Sequence, residues 1–184
     1  MAVAALFLLG LGCPAVGSAA APPQLWTAPP GGGAPGSGAG EFDVPGGIGV
    51  DPNSGHLYVA DLGSARIDEL TAWGVFVNAF GWGVADGTTE ALQTCTATCF
   101  KGIEGAGVGQ IAQPYGVAVD SAGDVYVDEP GLVGNEVKHN LRVQKFDPEG
   151  HFLAMFGGEV NKTKSGEGGS SEAERNLCTK AEVL

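Results

Sequence analysis

The sequence predicts an all-β protein made of four-stranded antiparallel sheets. One pattern of β-prone runs occurs twice, turn chemistry separates the runs, and the composition disfavours regular helices. The 184 residues include 32 Gly and 11 Pro but only 8% aromatic residues, a balance that implies many turns and few large core side chains. The two copies occupy residues 42–81 and 111–157.

The first run of each copy follows a Pro-x-Gly. Pro45-Gly46-Gly47-Ile48-Gly49-Val50-Asp51 corresponds to Pro114-Tyr115-Gly116-Val117-Ala118-Val119-Asp120. A compact turn follows, Asp-Pro-Asn-Ser-Gly at 51–55 and Asp-Ser-Ala-Gly at 120–123. Asp51 and Asp120 are read as turn-formers, since an Asp side chain accepts from backbone amides two or three residues on and Gly tolerates positive φ. The second run is Leu57-Tyr58-Val59 in one copy and Val125-Tyr126-Val127 in the other. The third begins at Arg66-Ile67 and Arg142-Val143 and reaches Leu70 and Phe146. The fourth starts from Gly74-Val75-Phe76 and Gly150-His151-Phe152 and ends at Phe80-Gly81 and Phe156-Gly157.

Four short runs joined by turns make one four-stranded antiparallel unit. A single unit leaves a sheet face uncovered, whereas units stacked radially cover one another, and small residues such as Gly49 and Ala118 suit the crowded strand nearest a central channel. The expected architecture is therefore a set of β-propeller blades. Closure takes about four to eight blades, so two copies predict an incomplete propeller.

These motifs, P-x-G-[IV]-x-V-D, G-x-[LV]-Y-V, R-[IV]-x-x-[LF] and G-x-F-x-x-x-F-G, resemble the NHL repeat, one blade of a β-propeller. The resemblance covers residues 41–158 apart from two insertions. Copy two departs from copy one by eight extra residues between Tyr126 and Arg142, and by Asp128-Glu129 where copy one has the single Asp61. The resemblance implies a binding scaffold whose ligands meet the loops at one end of the channel. It places the candidate ligand face at Asp61, Arg66, Trp82, Glu129, His139 and Arg142, with Asp86, Glu136 and Lys138 on the same loops. A reading of those loops as solvated spacers stands beside it. Arg66 and Arg142, once per copy, are read as brackets that bond carboxylates or carbonyls of a neighbouring loop.

Residues 1–21 carry a short apolar run followed by Ala19, Ala20 and Ala21, which reads as a secretory signal peptide without the usual basic start. Acylation of Cys13 is the alternative there. Residues 22–40 are Pro- and Gly-rich and read as a linker, residues 82–110 as a Cys-containing insertion, and residues 159–184 as the start of another insertion, cut short. The expected location is secreted or at the cell surface.

Twenty-one acidic residues against nine basic ones leave a net charge of -12, which opposes nucleic-acid binding. Beyond the N-terminus no apolar stretch is long enough to span a bilayer. An unknown protein or a cell-surface ligand is the expected partner.

Cys95 and Cys99 are expected to form a local disulfide in an oxidising compartment. No metal is assigned, because two Cys supply half of what structural zinc needs. Cys178 stands in the place of Cys95 and lacks a counterpart of Cys99; its pairing with Cys95 or Cys99 is the competing outcome.

No catalytic residues are assigned. His56, His139 and His151 lie in separate turns or loops, and no hydrolase, zincin or phosphate-loop motif occurs. The enzymatic alternative is a six-bladed, calcium-dependent lactonase or esterase, or a propeller lyase; calcium enters only there, and the apolar Ile48 and Val117 runs offer it no ligand.

Overall fold

The computed structural model describes residues 34–130, 132, 133, 136, 137, 140–158 and 160–182. The expected signal peptide, Cys13, most of the linker and His139 lie outside the described residues.

The fold is nearly all β. The first sheet is an antiparallel meander of β1 (Pro45–Val50), β2 (Leu57–Asp61), β3 (Arg66–Leu70), β4 (Phe76–Trp82) and β5 (Leu92–Cys95). The second holds β6 (Gly116–Val119), β7 (Val125–Glu129), β10 (Arg142–Phe146), β11 (Phe152–Gly157) and β12 (Leu177–Thr179), each paired with the next. A two-stranded hairpin, β8 (Leu132–Val133) and β9 (Glu136–Val137), lies within the longer second-copy insertion. Each sheet thus has five strands rather than four. The fifth is drawn from the cysteine segments: Cys95 pairs with Ala79, and Cys178 pairs with Met155 at the matching register.

The matching is close throughout. Asp61 pairs with Arg66 as Glu129 pairs with Arg142, and both sheets carry an irregularity before the fourth strand, at Leu70 to Phe76 and at Phe146 to Phe152. Backbone conformation repeats as well. Val44 and Gln113, and Ala65 and Leu141, take positive φ at equivalent positions, a conformation uncommon for side chains of this kind. Within residues 159–184, read from sequence as the start of an insertion, the chain forms two helical turns, α1 (Lys162–Gly166) and α2 (Glu172–Arg175). Local capping accounts for them: the Asn161 side chain accepts from Lys164 N, and Ser171 and Glu174 form a capping box.

The sheets meet through unlike faces. Tyr58, Ala60, Ile67 and Phe80 of the first pack against Val125, Val127, Phe146 and Met155 of the second, with the Phe80 and Phe146 rings 5.1 Å apart. Side chains alternate along a strand, so the first-sheet counterparts of Val125, Val127 and Phe146, namely Leu57, Val59 and Leu70, lie on the face opposite Tyr58. The contact is therefore heterologous, front to back, which generates rings or open stacks rather than closed pairs.

Glycine lets the edge strands β1 and β6 approach. Gly47 N donates to Tyr115 O at 2.6 Å, and a Cβ on Gly47 would lie 2.9 Å from Gly116 Cα. Among the described residues, no helix is long and apolar enough to cross a membrane.

Candidate functional site

Each repeat is organised around one buried arginine at the start of its third strand. In the second, Glu129 at the end of β7 accepts Arg142 Nε at 2.6 Å, Gln144 Nε2 at 3.0 Å, Asn140 Nδ2 at 2.9 Å and Ala112 N at 2.7 Å. The Arg142 fork then donates to three carbonyls of the preceding loop, Ala106 O at 2.9 Å, Gly107 O at 3.0 Å and Gln110 O at 2.6 Å. In the first repeat Arg66 donates to Ser37 O, to Gly38 O at 3.0 Å and to Glu41 O at 2.8 Å. Residues 37–41 and 106–110 are equivalent, so Ser37 and Gly38, read as the end of the linker, join the first repeat through Arg66. Both arginines are turned into the protein and hold carbonyls; neither presents its guanidinium on the loop surface.

The two brackets differ in charge. Gln144 is neutral, takes Gly109 N at 2.9 Å and gives to Gln110 O at 2.9 Å. Its counterpart Asp68 accepts Arg66 Nε at 3.0 Å through one oxygen, with Asp61 3.6 Å from the same nitrogen. Asp68 Oδ1, Asp61 Oδ2 and Ser64 Oγ are buried without a hydrogen-bond partner among the described residues. Burial pushes the Asp68 carboxyl up to about 7 against the pull of Arg66, and burial likewise raises Asp61. One arginine thus faces two buried carboxyls.

On the same end of the sheets, the loops form a concavity of about 520 Å3 lined by Val44, Pro45, Gly46, Leu62, Tyr115 and Gly116. Val44 and Tyr115 are each 61% exposed there. Asp128, beside the Glu129 that pairs with Arg142, takes Gly116 N through its carboxylate, and Tyr115 N donates to Asp128 O at 3.0 Å. The concavity is mainly apolar, with one aromatic side chain free to contact a ligand. Val44, Leu62 and Tyr115 carried no signal in sequence, since a lone apolar residue in a loop reads as nothing in particular.

The other candidates separate. Trp82 ends β4, is half-buried, and lies beside Gly107; it does not line the concavity that holds Tyr115. Asp86 is spent on its own turn, accepting Thr88 N at 2.8 Å and Thr89 N at 2.8 Å; the Thr89 hydroxyl and then Gln93 hold it well below the usual carboxylate range. Asp147, Glu149 and His151 bring their ligand atoms within 4.8 Å of one another on an exposed turn. There Asp147 already accepts Glu149 N at 3.1 Å and His151 N at 2.7 Å.

Cys95 and Cys99 are joined by a disulfide, and Cys178 is a free, buried thiol. The bond agrees with an oxidising compartment. Comparison with known proteins adds no assignment: no protein-family model matches the chain, and no curated protein matches it.

Proposed function

We propose that the chain is part of an exported, non-enzymatic binding scaffold built as a β-propeller of the NHL-repeat type, with its ligand surface at the loop end around Tyr115. The observation that carries this reading is the front-to-back packing of two equivalent sheets through glycine-lined edge strands. Such packing leaves each added unit with a face for the next and sets the loops between units side by side. The loop-end concavity, apolar with an exposed aromatic, has the chemistry of a protein-contact patch. Buried arginines serve the scaffold by fixing the loops that line it.

Retention of extracytoplasmic proteins on the immobilised chain, compared with the Tyr115→Ala variant, tests the reading. The expected result is a discrete protein retained by the parent and lost from the variant. Equal retention by both, or calcium-dependent hydrolysis of lactones or esters by the parent, would overturn it.

A further inference from the structure

In the second repeat, the Asn140 and Gln144 amides give Glu129 the donors it needs beside Arg142, and one negative charge meets one positive. Register places Asp61, Ser64 and Asp68 of the first repeat at the positions of Glu129, Asn140 and Gln144. Each is shorter than its counterpart, and none brings an amide. The backbone frame is kept: Asp43 N donates to Asp61 Oδ1 at 2.8 Å, as Ala112 N donates to Glu129 Oε1 at 2.7 Å.

Donors and positive charge are therefore short at one place. Asp61 Oδ2, Ser64 Oγ and Asp68 Oδ1 are fully buried and have no hydrogen-bond partner among the described residues. They belong together. Ser64 N donates to Asp61 O at 3.2 Å in the turn after β2, the Ser64 hydroxyl opposes the effect of burial on the Asp61 carboxyl, and Asp61 in turn raises Asp68. The charged groups facing this place are Asp43 from the upstream loop, Asp61 from β2, and Arg66 and Asp68 from β3; β4 sets Ala79 opposite Asp68. The terminal nitrogens of Arg66 are committed to carbonyls, those of Ser37, Phe100, Gly38 and Glu41. Lys101 of the adjoining loop is turned to Glu104 at 3.5 Å, and residues 1–55 contain no Lys, Arg or His.

We propose that Asp61 Oδ2, Ser64 Oγ and Asp68 Oδ1 bind one small monovalent cation, sodium, which supplies the positive charge that two carboxylates and one arginine lack. A single charge is missing, and an all-oxygen set suits a hard cation. Water would satisfy the oxygens but leave a charge buried and unpaired, which is costly. A proton neutralises one carboxyl and leaves the other orphaned oxygens as they are. Ion and proton compete for the same carboxylates, so the proton is held at low pH and sodium replaces it as the pH rises. The three residues do not line the loop-end concavity around Tyr115, and the site stands whether or not that surface binds a ligand.

Thermal unfolding of the full chain in sodium chloride and in choline chloride at equal concentration, with calcium chelated, tests the site. Choline carries the same charge and is too large to be buried there, so in choline the proton alone answers the carboxylates. The expected result is a higher unfolding temperature in sodium than in choline at pH 8, and no difference at pH 5. The Asp68 carboxyl sits at about 7, so the sodium concentration giving half the effect rises about tenfold for each unit of pH below that value. Asp68→Asn, which restores the amide of Gln144, is expected to abolish the difference between the salts. Ser64→Ala, which leaves every charge in place, is expected to raise the half-effect concentration. Equal unfolding temperatures in the two salts at pH 8 would overturn the site. So would a sodium effect that Asp68→Asn retains, or a half-effect concentration that Ser64→Ala leaves unchanged.

Discussion

Arg142 and Glu129 face each other across neighbouring strands with Nε 2.6 Å from the carboxylate, and both are buried. Glu129 stands where the first repeat has Asp61, one residue beyond the Asp128 that a sequence comparison is drawn to. Removing either partner strands a buried charge, at a cost of about 3–5 kcal/mol. Glu129→Ala and Arg142→Ala are both expected to lower the unfolding free energy measured in urea by that scale. Arg142→Lys is expected to rescue little, because an ammonium cannot span three carbonyls as the planar fork does. A lysine variant as stable as the parent would show that the fork does not matter.

Asp68 makes stability depend on pH with an unusual sign. Its carboxyl sits at about 7 in the folded chain against 3.8 as the ordinary value, so folding favours the protonated form. Below about pH 4 both states are protonated and the group costs nothing; between about 4 and 7 the unfolded chain ionises first and stability falls, and above 7 the loss is complete. The buried Asp61, raised in the same direction, adds to the trend. Asp68→Asn, which supplies the neutrality of Gln144, is expected to stabilise the protein by a few kcal/mol at pH 8 and by little at pH 4. Denaturant titrations at both pH values measure this, and an Asn variant less stable than the parent at pH 8 contradicts it.

The Cys95 to Cys99 disulfide closes a short loop. Chain entropy assigns such a loop a contribution of about 2 kcal/mol. The double variant Cys95→Ser with Cys99→Ser is expected to lose about that much stability by thermal or urea unfolding, and the parent to lose it on reduction. Mass analysis of the unreduced fragment holding both cysteines checks the bond itself.

Gly47 lies against backbone of the neighbouring unit: a methyl added there would be 2.9 Å from Gly116 Cα and from Tyr115 O, whereas one on Gly158 would have nothing within 4 Å. Backbone atoms cannot swing aside. Gly47→Ala is expected to destabilise by about 1–3 kcal/mol and Gly158→Ala to fall within about 0.5 kcal/mol of the parent. Thermal unfolding of the two variants side by side separates inter-unit crowding from any general cost of losing glycine.

Eight of the strands were legible because each sits between residues with one physical reading. Pro-x-Gly opens the first strand of each copy, Asp and Gly close the first turn, and apolar alternation marks Tyr58 and Tyr126. The fifth strands were not legible, since Leu92-Gln93-Thr94-Cys95 and Leu177-Cys178-Thr179 are short and read first as cysteine loops. The repeat also reaches upstream into Ser37-Gly38-Ala39-Gly40-Glu41, whose composition imitates a linker. Its partner is Ala106-Gly107-Val108-Gly109-Gln110, and what orders both is the arginine that collects their carbonyls. Trp82, legible as a large aromatic in a long loop, does not line the concavity of Tyr115, whose exposure depends on the loop path.

Front-to-back packing of equivalent sheets underlies both the proposed scaffold and the ligand surface proposed for it. Nuclear Overhauser contacts between the Phe80 and Phe146 rings, whose centroids are 5.1 Å apart, test it most directly, with Ile67 to Phe80 as the contact internal to one sheet. Stacked sheets predict both sets of cross-peaks in the intact chain. Ile67 to Phe80 cross-peaks without any between Phe80 and Phe146 would show two folded sheets that do not stack, and would contradict it.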